Sequence, residues 1–128
     1  MRIFGILLLI LVGAIAYVRL TPIKMRPRMD VPDQVGDYAV AGGFTAVRAV
    51  PDASALEKVK AALLLEPRTE IVAQDPLTFV TRSRVFGFPD ITYLTLADGH
   101  LVVQGHLVYG KSDMGVNKAR ILRILDAL

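Results

Sequence analysis

Two short stretches carry the side chains whose types and spacing suit chemistry. Residues 81–90 read TRSRVFGFPD and residues 110–120 read GKSDMGVNKAR. In the first, Arg82 and Arg84 stand two residues apart, which on a strand puts both guanidinium groups on one face, about 7 Å apart. Like charges that close need an anion, an acidic partner or water. Bidentate guanidinium contacts would serve an anion or carboxylate ligand. The structural reading, which we prefer, pairs the arginines with Asp90, Asp113 or Glu70, or leaves them on a solvated face.

In the second stretch, Asp113, Asn117 and Arg120 fall on one face of a helix at i, i+4 and i+7. Free N–H groups at the start of that helix attract anions, and Lys111 stands nearby. Ser112 or Asp113 as N-cap would satisfy the same donors internally. Gly115 in the first turn implies close approach by the sheet or by a ligand. The stripe reads first as a clasp, hydrogen-bonding across to Arg82 or Arg84, and second as a ligand site. Arg82, Arg84, Asp90, Lys111, Asp113, Asn117 and Arg120 are therefore the candidate anion site or clasp.

Other chemistry finds little support. The serines are Ser54, Ser83 and Ser112, none within a nucleophile-elbow sequence. His100 and His106 face one way along a strand but lie about 20 Å apart, too far to share a metal ion. His100 reads as a solvated hairpin residue and His106 as a polar member of a sheet face. The absence of cysteine excludes disulfides, zinc-thiolate sites and a cysteine nucleophile. No phosphate loop or dinucleotide fingerprint is present, and neither a metal nor a cofactor is expected. Phe86, Phe88 and Pro89 around Gly87 read as core and turn residues; exposed, they would make an apolar lip for a lipid or a partner peptide.

The elements that must position these residues follow from periodicity. Residues 52–66 predict a helix: Ser54-Ala55-Leu56-Glu57 has capping-box form, Leu56, Val59 and Leu63 share a face, and Pro67 stops it. Residues 44–50, 69–73, 77–86 and 91–96 read as strands. Asp98-Gly99 is a two-residue hairpin signal feeding a strand over residues 101–109. A last helix follows Ser112 or Asp113, with Met114, Ile121, Leu125 and Leu128 on one face and Ile124 beside them. The expected fold is α+β, a small antiparallel sheet with two helices on one face, preceded by an N-terminal transmembrane helix.

That leading helix explains the composition. The 128 residues carry a net charge of +3 and 53% apolar content. Yet the first 28 residues hold five basic residues and no acid, and the remainder carries a net −2. Nucleic-acid binding needs a cationic face on the folded domain, and none is indicated. Residues 3–18 are sixteen consecutive uncharged residues, about 24 Å as a helix against a hydrocarbon core of about 30 Å. Snorkelling by Arg19 extends the span through Leu20. An uncleaved anchor over residues 1–20 is preferred, with bilayer contact through residues 3–20; cleavage after Ala16 in a small-x-small pattern is the alternative. The basic flank of Arg19, Lys24, Arg26 and Arg28 argues for a cytoplasmic domain, a signal-anchor origin for an extracytoplasmic one. Residues 21–43, with three prolines and three glycines, read as an extended tether whose cations reach anionic headgroups or lie solvated. Residues 44–128 then form the compact domain.

The two stretches resemble the signature of an uncharacterised family of small, often membrane-anchored bacterial and plastid proteins, known as domain of unknown function 1499. The family's R-S-R-x-x-G-F-x-D appears as residues 82–90, and its G-x-S-D-x-G-V-N-x-x-R as residues 110–120. The likeness runs over residues 45–128, and the Ala-Tyr-Val-Arg-Leu exit from the first helix shares it. It implies a fold and an anchored, single-pass topology, favouring an extracytoplasmic or periplasmic domain, and no established reaction. One departure stands out: where the family has Arg-Ser-Arg shortly before the second glycine motif, this chain has His106-Leu107-Val108. The expected function is a non-catalytic, membrane-anchored accessory or binding domain with a membrane-protein partner; the alternative is a hydrolase or transferase acting on an anionic substrate.

Overall fold

The computed structural model describes residues 1–25 and 30–128; Arg26 and Arg28 of the expected basic flank lie outside the described residues. Helix α1 (Arg2–Leu20) comes first. Its mean hydropathy of 2.5 and 19-residue length suffice to cross a membrane, and most of its side chains are exposed. The domain follows as β1 (Gly36–Val40), β2 (Gly43–Ala49), α2 (Ser54–Leu65), β3 (Thr69–Gln74), β4 (Leu77–Arg82), β5 (Pro89–Ala97), β6 (His100–Leu107) and α3 (Val116–Leu125). The strands form one antiparallel sheet in the order β1-β2-β6-β5-β4-β3.

Both helices of the domain cover one face, as expected. Val59 and Leu63 of α2 and Ile121, Ile124 and Leu125 of α3 close over Phe44, Ala46, Phe79, Leu94, Leu101 and Val103. The Asp98-Gly99 turn takes the two positive φ values, 52° and 73°, that a tight hairpin of right-handed twist requires. Helix α2 ends where Glu66 turns extended ahead of Pro67.

Several expectations are corrected. Residues 36–40, assigned to the tether, are the edge strand β1, joined to β2 through Ala41-Gly42. Gly42 and Gly43 mark a hairpin turn and a strand start, not a linker. Residues nearer the helix are not a free tether either. Ile23 packs on Val80, Ile91 and Tyr93, and Gln104 Nε2 donates to the Asp30 carbonyl at 3.3 Å. The reason is the second face of the sheet, which carries Val47, Val80, Ile91, Tyr93 and Val102, all buried, and must be covered as the first is. The capping box of α2 does not form: Asp52 Oδ1 accepts from the Ser54 backbone and hydroxyl. In α3 the buried face is Asn117, Arg120, Ile121, Ile124 and Leu125, while Met114 and Leu128 lie outside the helix and exposed.

Candidate functional site

Chain order puts the two motif stretches at one end of the sheet. The RSRVFGFPD segment links β4 to β5, and the glycine-rich segment after β6 leads into α3. The register pairs Thr81 with Asp90 and Asp90 with Leu107. This aims Asp90 at the helix-covered face, beneath the start of α3.

There the candidate residues divide. Arg120 Nη2 lies 3.3 Å from Asp90 Oδ2, and its Nη1 donates to Asn117 Oδ1 at 3.1 Å. Burial pushes the Asp90 carboxyl above the usual range, against the pull of the Arg120 guanidinium, and the Asp113 charge adds to the rise. Asn117 has no solvent exposure. It sits over Gly105, where an added Cβ would stand 2.8 Å from Asn117 Oδ1. Asp90, Asn117 and Arg120 thus tie α3 to β5 and β6. The expected bonds from this stripe to Arg82 or Arg84 do not form; α3 is joined to the sheet through Asp90.

Asp113 caps the helix from outside it. Its Oδ1 accepts from Gly115 N–H at 3.0 Å and its Oδ2 from Asn117 N–H at 2.9 Å. Desolvation raises this carboxyl, and the backbone and side-chain hydrogen bonds of Asn117 with that of Gly115 outweigh it, so the pKa falls below the ordinary 3.8. A carboxylate already occupies the donors to which an anion would bind. Lys111 is exposed in the preceding loop. Asp113→Ala is expected to cost about 1 kcal/mol of stability at neutral pH. A lowered folded pKa contributes stability above the unfolded value and loses it as pH falls through the folded one. Thermal unfolding of variant and wild type should therefore converge on acidification.

The arginine pair does not form. Strand β4 ends at Arg82, and residues 83–88 fold into a turn: Ser83 N–H donates to Phe88 O, Gly87 N–H to Ser83 O, and Phe88 N–H to Ser83 Oγ. Arg82 Nη1 donates to Gly87 O at 2.8 Å, and Arg84 lies exposed in the turn. Two arginines that the motifs did not flag, Arg68 and Arg123, join Arg82 and Arg120 around a cleft of about 280 Å³ that also holds Glu66 and Asp90. Each is engaged: Arg68 Nε donates to Arg82 O at 2.9 Å, and Arg123 pairs with Glu66 at 2.8 Å. Their spacing in sequence gives no signal, because strand pairing brings Arg68 to Arg82 and helix packing brings Arg123 to Glu66.

On the other side of Asp90 lies a shallow depression of about 440 Å³, lined among others by Ser83, Phe88, Tyr109, Ser112 and Asp113. Phe86 and Phe88 are exposed, which overturns their reading as core. His106 is buried on the second face, its ring 6.0 Å from that of Tyr93. Among the described residues, no three His, Asp or Glu side chains gather as a metal site needs.

Fold and site define a small α+β domain in which the motif residues Asp90, Asn117 and Arg120 bind one another across a helix–sheet junction, led by an apolar helix. The chain belongs to the family described as Protein of unknown function (DUF1499), whose model matches residues 29–128. Comparison with curated proteins and with solved structures found no match.

Proposed function

We propose that the protein is a membrane-anchored, non-catalytic accessory or binding domain held against the bilayer by α1; the family resemblance alone favours the extracytoplasmic side for the domain. One observation carries this reading. Helix α1 leaves its apolar side chains exposed along nearly its whole length, yet Val18 in its last turn is only 7% exposed. Arg19 beside it donates to the carbonyls of Arg84 and Val85, so the domain meets the end of the helix. An apolar rod of this length, bare except where it meets its domain, suits a lipid surround. The engagement of Asp90, Asn117 and Arg120 with one another supports the non-catalytic part.

Alkaline carbonate extraction of membranes containing the full chain tests the anchor. The protein should stay in the membrane pellet with residues 1–16 present by intact mass. A soluble product lacking them would overturn the reading.

The second reading, a hydrolase or transferase for an anionic substrate, draws on the arginine-lined cleft of about 280 Å³. It requires the clasp residues to open towards substrate, whereas Asn117 and Arg120 are buried.

A further inference from the structure

The turn between β4 and β5, together with Tyr109 after β6, displays apolar side chains that no described element covers. Val85 is 62% exposed, Phe86 38%, Phe88 41% and Tyr109 36%. The three rings form one surface, Phe86 and Phe88 stacking at 5.4 Å and Phe88 and Tyr109 meeting at 5.8 Å, with exposed Val85 next to Phe86 in the turn. The turn presents them rigidly, through the Ser83 hydrogen bonds to Gly87 and Phe88 and the Arg82 bond to Gly87.

The position of this surface is fixed by α1. Arg19 Nη2 donates to the carbonyls of Arg84 at 3.3 Å and Val85 at 3.0 Å. The Arg19 stem lies across Gly87, whose φ is +74° and where an added Cβ would stand 2.8 Å from Arg19 Cγ. A helix of 19 residues rises about 28 Å, close to the hydrocarbon thickness. Arg19 therefore stands where hydrocarbon gives way to headgroups, and the turn bonded to it stands at the same depth. Aromatic side chains favour that layer, and cations beside it meet anionic headgroups. Arg84 and Lys111 flank the aromatic surface and are exposed.

We propose that Val85, Phe86, Phe88 and Tyr109 form a lip that enters the interfacial layer of the same bilayer that α1 crosses, fixing the orientation of the sheet above the membrane. The proposal rests on the reading of α1 as a membrane span. Its occupant is lipid because the surface is bonded to the last turn of the span.

The chain contains no tryptophan, so a single introduced one reports depth. Full-length Phe86→Trp, Ala97→Trp at the far end of β5, and Val12→Trp within α1 would each be reconstituted in phosphatidylcholine–phosphatidylglycerol vesicles. Some vesicles would carry lipid brominated near the headgroup, others lipid brominated towards the chain ends. Phe86→Trp should shift to the blue and lose intensity with the headgroup-proximal bromines, Ala97→Trp should do neither, and Val12→Trp should be quenched by the deep bromines. Quenched Val12→Trp with Phe86→Trp unquenched overturns the lip and leaves the span intact. If the unquenched Phe86→Trp is also blue-shifted, a second copy or another protein covers the surface instead. Unquenched Val12→Trp overturns the span itself.

Discussion

Arg120→Ala is expected to destabilise the full chain by about 2–3 kcal/mol, measured by urea unfolding in detergent at neutral pH. The size comes from what the substitution leaves behind. Arg120 is buried and Asp90 half-buried, so removing the guanidinium strands a partly desolvated carboxylate, which costs more than the pair contributes net. Here the stranded group is Asp90, already lifted above the usual carboxylate range by burial and held down by Arg120 first among its favourable contacts. Asn117 also loses the donor to its Oδ1. The loss carries a pH signature. A carboxyl whose folded pKa is raised penalises folding above its unfolded value, 3.8 here, and the penalty fades on protonation. The variant should therefore regain stability relative to wild type as the medium is acidified. A surface arginine with no structural partner would give a small and pH-insensitive change.

Gly105→Ala should cost about 1–3 kcal/mol, although it adds one methyl group. The new Cβ would stand 2.8 Å from Asn117 Oδ1 and 3.1 Å from Ile121 Cδ1. Neither neighbour yields easily. Asn117 is gripped by Arg120, and Ile121 is fully buried in the main core. The glycine creates the seat into which the clasp amide fits, so the effect belongs to the helix–sheet contact and not to strand propensity. Denaturant unfolding of Gly105→Ala, Asn117→Ala and the double variant checks this. The double variant should lose less than the two single losses combined, because truncating Asn117 vacates the space that the methyl group needs.

Much of this architecture is legible in the sequence because it rests on local rules. Asp98-Gly99 dictates its hairpin through backbone sterics. Pro67 and the Val59–Leu63 stripe place α2 to within a residue or two, and the antiparallel sheet with both helices on one face follows from short connections. What escaped depends on register and tertiary closure. Asp90 and Arg120 are thirty residues apart, and only the pairing of β5 with β6 and the docking of α3 brings them together. Arg84 looked like a strand partner for Arg82 because period-two reasoning continues until something stops the strand. What stops it is Ser83, whose bonds to Gly87 and Phe88 close the turn. Strand β1 was hidden by the glycines around it, which signal linker and hairpin equally. The covering of the sheet's second face by Ile23 and the Asp30 backbone leaves no periodic trace, since neither residue belongs to a helix or a ladder. The cap of α3 is half legible: the sequence offers Asp113 as a cap, but its carboxylate reaches in from before the left-handed Gly115 at the N-cap.

Asp90, Asn117 and Arg120 clasp α3 to the sheet. This clasp is tested most directly by a thermodynamic cycle on Asp90→Ala, Arg120→Ala and the double variant, by equilibrium unfolding of the full chain. Both single substitutions should be costly and the double variant less destabilised than their sum, with a coupling of about 0.5–3 kcal/mol. Single substitutions that leave stability unchanged, or losses that simply add, would contradict it.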